Sequence, residues 1–260
     1  MKFIYASAML ILIAWSHVDK GHSPDSMHMP GAYNMVSVHV KTDSIDTTYT
    51  TVKQLKIYTD TYMMYANINP PDSISSFGIA TYTSNANGVT ENAIFNASDS
   101  STSDQPASFQ LAIEKTPKGY IQVIKNMSGQ HFDLTEAYDA VGTNGKTALD
   151  GAWKLINRYW VKGKDTTLTM GLEYKTYYAG HVIWGHVWAD SLKKNHTGIG
   201  FGTFSLKGNK LKESMSSSTY YEVRNKEFNI DIVMTGKDQF KQTTENGDGS
   251  RAVEIYKRLK

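Results

Sequence analysis

Glu91 and Glu213 stand at matching points of two similar stretches, TYTSNANGVTENAIF and TFSLKGNKLKESM, 122 residues apart. In an extended chain side chains alternate between faces, so Leu211, Glu213 and Met215 share one face, and Val89, Glu91, Ala93 and Phe95 share its counterpart. Each stretch therefore sends a carboxylate toward an apolar side. A buried carboxylate is costly unless it is paired or protonated. Three readings follow. Glu91 and Glu213 either anchor a ligand, or act as general acid/base with a raised pKa, or they close an internal salt bridge or tyrosine hydrogen bond. A second matched pair, Glu136 and Glu254, lies two residues before Tyr138 and Tyr256. Two carboxylates meeting in one cavity would form a dyad of the kind used by acid/base hydrolases; placed apart, each has a separate structural role.

The stretch GHVIWGHVW, Gly180 to Trp188, is the most unusual composition in the chain. On a strand Val182, Trp184, His186 and Trp188 point one way and His181, Ile183, Gly185 and Val187 the other. The Trp184, His186, Trp188 ladder either floors a pocket for a flat apolar ligand or a sugar ring, or is ordinary core. The matching positions of the first half carry Asn67 and Asn69 in place of His186 and Trp188, so if one half has a specialised site it is the second. Dedicated metal binding is not predicted, because His181 and His186 lie on opposite faces and no HExxH occurs. Neither is a serine nucleophile, since the chain has no Gly-x-Ser-x-Gly elbow. GIGFGTF contains Gly-x-Gly without the helix a phosphate site needs, and its glycines read as points of strand curvature.

These residues recur because the chain is a tandem duplication. Gly31-Ala32-Tyr33 matches Gly151-Ala152-Trp153, YTDTYMMYANI (58–68) matches YYAGHVIWGHV (177–187), and FQLAIEKTPK (109–118) matches FNIDIVMTGK (228–237). LTEAYDAV (134–141) likewise matches AVEIYKRL (252–259). The blocks keep their order and drift by only a few residues, as loop insertions produce. Between the copies AVGTNGKTALD lacks apolar periodicity and reads as a linker. Within a copy, short alternating runs near 32–40, 49–58, 61–68, 77–84, 89–97, 108–115, 119–125 and 131–138 are separated by turn signals, Asn87-Gly88 among them. The polar stretch 98–106 reads as a mobile loop. The predicted class is all-β: two tandem antiparallel up-and-down barrels of about eight strands. The predicted boundaries are a signal peptide at 1–23, barrels at 24–140 and 151–260, and a linker at 141–150.

The triplet at 151–153 resembles the Gly-x-Trp of lipocalins and related calycin barrels. That resemblance implies that a cation from the last strand, Arg258, packs over Trp153 to close the barrel bottom. It makes Gly31, Tyr33, Gly151, Trp153 and Arg258 structural residues. The first copy departs from the pattern, with Tyr33 for Trp and Asp139 or Ala140 where the cation would stand. Taken with GxGxFxLxGNxLxE and the terminal ExYKR, the order of motifs resembles small lipocalin-like domains of exported proteins from Bacteroidota. The resemblance implies fold far better than function.

The N-terminus pairs Lys2 with an apolar run from Phe3 to Trp15, which describes a secretory signal and is too short for a membrane span. Localisation is expected to be periplasmic or secreted, with no membrane span after signal removal. With 20% charged residues and a net charge of +2, the chain carries no nucleic-acid footprint. No cysteine occurs, which excludes disulfides and thiolate chemistry. The predicted function is an exported module holding a small, partly apolar or sugar-like ligand in one or both barrels, with no cofactor. Its ligand residues are Trp184, His186, Trp188, Glu213 and Glu91. Two alternatives stand: a structural or adhesive envelope protein with filled barrels, and an acid/base enzyme using Glu213, with His186, in the second barrel.

Overall fold

A computed structural model describes residues 27–260 apart from 70–73, 87, 99–100, 104, 126–130, 144, 170 and 192–193. The expected signal sequence and Asn87 lie outside the described residues. The first copy holds β1 (Gly31–Lys41), β2 (Asp46–Tyr49), β3 (Lys53–Tyr58), β4 (Tyr62–Asn69), β5 (Ile74–Asn85), β6 (Gly88–Ser98), β7 (Ser101–Ser103), β8 (Ala107–Lys115), β9 (Gly119–Ile124) and β10 (Asp133–Ala140). The second holds β11 (Gly151–Lys162), β12 (Asp165–Thr169), β13 (Leu172–Tyr178), β14 (His181–Ala189), β15 (Asn195–Lys207), β16 (Lys210–Ser218), β17 (Lys226–Met234), β18 (Gln239–Glu245) and β19 (Arg251–Arg258).

Each copy is a closed antiparallel barrel of eight strands. β1 pairs with both β3 and β10, and β11 with both β13 and β19, so neither sheet keeps a free edge along the barrel. The long first strand of each copy does two jobs. Gly31–Asn34 pairs with β3, whereas Val38–Lys41 pairs with the exposed β2. Of the run 49–58, read as one strand, Lys53–Tyr58 is β3, while Tyr49 ends the separate β2 that begins at Asp46. The stretch 98–106, read as mobile, carries β7, which extends β6 as a short hairpin.

Two β-bulges reset the alternation on which the barrel's faces depend. One falls between Leu155 and Asn157 opposite β19, and its counterpart between Met35 and Ser37 opposite β10. Counting by twos from Trp153 puts Arg158 outside; after the bulge it joins the interior face. A further shift between Ile79 and Ala80 opposite β6 turns Phe95 away from the face of Glu91, so those two do not share a side.

The apolar residues divide into three clusters. One fills the first barrel around Met35, Val38, Val89 and Leu111, and another the second around Trp153, Leu155, Leu211 and Phe240. The third lies between the barrels. Leu55, Ile57, Met64, Phe77, Ile79 and Phe95 face outward from the first and meet Tyr174, Ile183, Ile199 and Phe201 of the second. Each strand meets its own counterpart, β5 on β15, β4 on β14 and β3 on β13. The Phe77 ring rests on bare backbone at Gly185, where an added Cβ would stand 2.5 Å from it.

Candidate functional site

Both interiors are built on a repeated polar belt. In the first barrel Lys56 Nζ lies 2.7 Å from Glu91 Oε1 and donates to Gln122 Oε1 at 3.1 Å. Tyr58 donates to Glu91 at 2.5 Å, Gln122 donates to Glu136, and Tyr138 donates to Glu136 at 2.9 Å. The second barrel repeats this with Lys175, Glu213, Tyr177, Gln242, Glu254 and Tyr256. Lys175 lies 3.6 Å from Glu213, Tyr177 donates to Glu213 at 2.5 Å, and Gln242 donates to Glu254 at 2.5 Å. Glu91 and Glu213 therefore each hold an internal salt bridge and a tyrosine bond. The two carboxylates of each barrel join one network through a Lys-Gln link, rather than facing each other across open space.

These groups face inward because Gln54, Lys56 and Tyr58 alternate with Leu55 and Ile57, which the neighbouring barrel covers. Along β3 this inverts the common pattern of apolar inside and polar outside. Burial is the largest single influence on the belt's titration. It pushes Tyr58 and Tyr177 well above the ordinary tyrosine range, with the neighbouring Glu91 and Glu213 adding to the effect. Burial also raises Glu136, against the pull of Lys56 and the Tyr138 hydroxyl. Lys175 ends above its ordinary value because Glu213, Glu173 and Glu254 outweigh burial.

At the open end of the second barrel the copies diverge. Register sets Arg158 against Glu254 and Val38 against Glu136, so Arg158 occupies the place of Val38. Glu173 and His186 likewise replace Gln54 and Asn67, which in the first barrel form a neutral bond of 2.8 Å. Arg158 Nε donates to Glu254 Oε1 at 2.6 Å and Nη2 donates to Glu173. Tyr256 donates to Glu173 at 2.5 Å, and His186 Nδ1 lies 3.5 Å from the same carboxylate. Burial works against charge on Glu173, but the His186 hydrogen bond and the Arg158 and Lys175 cations win and hold it at about 2.

Aromatic rings border this cluster. Along β14, Val182 is fully buried, Trp184 and His186 are half-buried, and Trp188 is 45% exposed, so the ladder climbs from the core to the rim. Trp184 stacks with Tyr220 at 6.1 Å and 16°, and Tyr220 Oη lies 2.6 Å from a ring nitrogen of His186. Trp188 stacks on His196 at 4.4 Å. Trp160 shares the face of Arg158 two residues further out and is 42% exposed. The turn after β16 holds Tyr220 in place: Arg224 donates twice to the Ser218 carbonyl, and Tyr220 N donates to Ser218 Oγ. At this end a separate concavity of about 290 Å³ lies between the β11–β12 and β18–β19 turns, lined by Val161, Gly163, Glu245, Asn246, Gly249 and Arg251 and by none of these rings.

The glycines of GIGFG find their reason here. A Cβ at Gly198 would stand 2.2 Å from His186 Nε2, and one at Gly200 would stand 2.4 Å from the Trp184 ring. The bare backbone lets both rings lie across β15. Gly202 meets the curvature reading, since it sits at a register shift opposite β16.

The structure thus gathers Trp184, His186 and Trp188 at one mouth and places Glu213 deeper, with partners other than His186. Glu91 lies in the other barrel. Arg158, Glu173 and Tyr220 were not singled out from sequence. A bulge hides Arg158, Glu173 lies in the unremarkable run LEYKTYY, and Tyr220 lies in a turn. At the closed end the Arg258 guanidinium lies 4.0 Å from the centre of the Trp153 ring, and Trp153 Nε1 donates to the Leu149 carbonyl at 2.7 Å. Tyr33 makes the matching bond to the Met29 carbonyl at 3.0 Å. Gly151 adopts φ +138°, and a Cβ there would stand 2.2 Å from Arg258 Nη1; a Cβ at Gly31 would stand 2.9 Å from Tyr33 Oη. Compared with known protein families, the chain matches no family model, and no curated protein matches it.

Proposed function

We propose that the protein is an exported binding module, periplasmic or secreted, built from two lipocalin-like barrels of the calycin type. In this reading the second barrel takes a small, partly apolar, ring-shaped ligand at its mouth. One observation carries it: half-buried Trp184, His186 and Tyr220 form one group of contacts that meets the ion-paired Arg158–Glu173–Glu254 cluster through His186 and Glu173, and the first barrel has Val38 and Gln54 where Arg158 and Glu173 stand. A maintained charge cluster bordering an aromatic opening supplies a few directed polar contacts beside stacking surface, which is what small-ligand sites use. The belt below fills the barrel's middle, so the ligand rests on it instead of passing through.

The test is tryptophan fluorescence and thermal unfolding of the mature protein against oligosaccharides, flavonoids, haem and fatty acids. A ligand at about 100 times its Kd should stabilise the wild type by roughly 2.7 kcal/mol. Trp184→Ala and Tyr220→Ala should lose that effect, while Tyr138→Phe, in the other barrel, should keep it. Equal stabilisation of all four proteins would place binding elsewhere and sink the proposal.

A further inference from the structure

The closed ends of the barrels share a strand register and differ in what fills them. In the second barrel Arg258 donates from Nε to the Lys237 carbonyl at 3.0 Å, from Nη2 to the Ala148 carbonyl at 2.9 Å, and from Nη1 to the Asp150 carbonyl. Its plane lies on Trp153. The first barrel is in the same register. Ala140 N donates to the Lys118 carbonyl at 2.8 Å, as Arg258 N donates to the Asp238 carbonyl at 2.9 Å. Tyr33 bonds to Met29 as Trp153 bonds to Leu149. By that register the carbonyls of His28 and Pro117 are the counterparts of those of Ala148 and Lys237, and Tyr33 is the counterpart ring; Pro30 is not matched to Asp150, because Gly151 adopts φ +138° and Gly31 does not. Ala140 stands in the place of Arg258. Between Tyr33, His28, Pro117 and Ala140 lies a concavity of about 240 Å³.

We propose that this concavity is a binding site for a guanidinium group, with the ligand's planar cation laid against Tyr33 and its N–H groups donating to the His28 and Pro117 carbonyls. The chemistry is that of Arg258, supplied from outside the chain. Backbone carbonyls match a planar set of N–H donors, and an aromatic face adds cation–π attraction. Two charges oppose it. Lys115 and Lys118 also line the concavity, and Lys118 stands where the second barrel has Asp238. Both lysines are exposed, so water and salt screen their repulsion, whereas the carbonyls are held by the fold. The lysines weaken the site without reversing its preference.

Calorimetric titration of the mature protein with agmatine, and separately with a capped Gly-Arg-Gly peptide, tests this. The first probe reports a free small cation and the second an arginine on a chain. Saturable binding of either is expected; Ala140→Arg should abolish it by filling the site from within, and Lys118→Asp should tighten it at least threefold. Inorganic phosphate serves as the opposite arm. The proposal fails if neither probe binds the wild type or Lys118→Asp, if binding survives Ala140→Arg, or if phosphate binds and Lys118→Asp removes it. The mutated positions belong to the first barrel, so the outcome is independent of the second barrel's mouth.

Discussion

At the scale of single residues, two glutamates that occupy similar interiors are held in opposite ways. Glu173 is kept charged at about 2 against an ordinary 4.5, because His186, Arg158 and Lys175 outweigh burial. Its contribution to stability is therefore full above the unfolded value near 4.5 and is lost as pH falls toward 2. Glu136 is raised, burial being the leading cause, so its ionised form costs stability at neutral pH and the cost lifts as pH falls through its folded value. Urea unfolding from pH 7 to pH 3 separates them. Glu173→Gln should lose about 3 kcal/mol at pH 7, since it leaves the partly buried Arg158 short of a partner, and the deficit should shrink by pH 3. Glu136→Gln should be at least as stable as the wild type at pH 7, because an amide oxygen still accepts from Gln122 and Tyr138. A Glu173→Gln deficit that does not change with pH would show that the charge is not what stabilises. The inward direction of Glu91 and Glu213 was legible from alternation and pairing of the copies. Their partners, Lys56 and Lys175, were not, because nothing local distinguishes an inward lysine from one of many surface lysines.

At the scale of elements, bulges and glycines decide which side chains reach the mouth. The run GIGFG can be seen in the sequence, but its purpose depends on which strand lies beside it. β14 does, with Trp184 opposite Gly200 and His186 opposite Gly198. Gly200→Ala should force Trp184 out of its seat and cost about 1–3 kcal/mol by overpacking, together with loss of the Trp184–Tyr220 stack. Thermal unfolding and near-ultraviolet circular dichroism would register both effects. An unchanged spectrum and midpoint would mean the rings do not need that bare backbone. The bulge after Leu155 has the same standing: it turns Arg158 inward, and simple counting of alternate residues turns it outward.

At the scale of the whole molecule, the barrels meet through the same strands of each copy, as the subunits of a symmetric dimer do. The contact is apolar and continuous, joined by a bond from Thr143 N to the Ala179 carbonyl at 2.8 Å and one from Tyr178 to Asp60 at 3.2 Å. We read the chain as two halves of such a dimer made continuous by the connection at 141–150. A protease site inserted at Gly145, which has open space around it, should allow a cut that leaves the halves together on size exclusion. Phe77→Arg should let them part, by placing a charge against the Gly185 backbone. Separation of the cut wild type would refute the dimer-like contact.

The sequence by itself determined the duplication, the all-β class, the barrel order and the inward direction of two carboxylates. Each of these is carried by local alternation, turn chemistry and repetition, which need no knowledge of distant neighbours. Tertiary structure decided the rest. It alone set Lys56 and Lys175 against those carboxylates, turned Leu55 and Ile57 outward into the contact between barrels, and brought Arg158, Glu173, His186 and Tyr220 to one mouth. Those outcomes rest on register, bulges and the approach of strands far apart in the chain. A one-residue shift in a strand exchanges its faces, so periodicity names the two faces while pairing decides which of them looks inward.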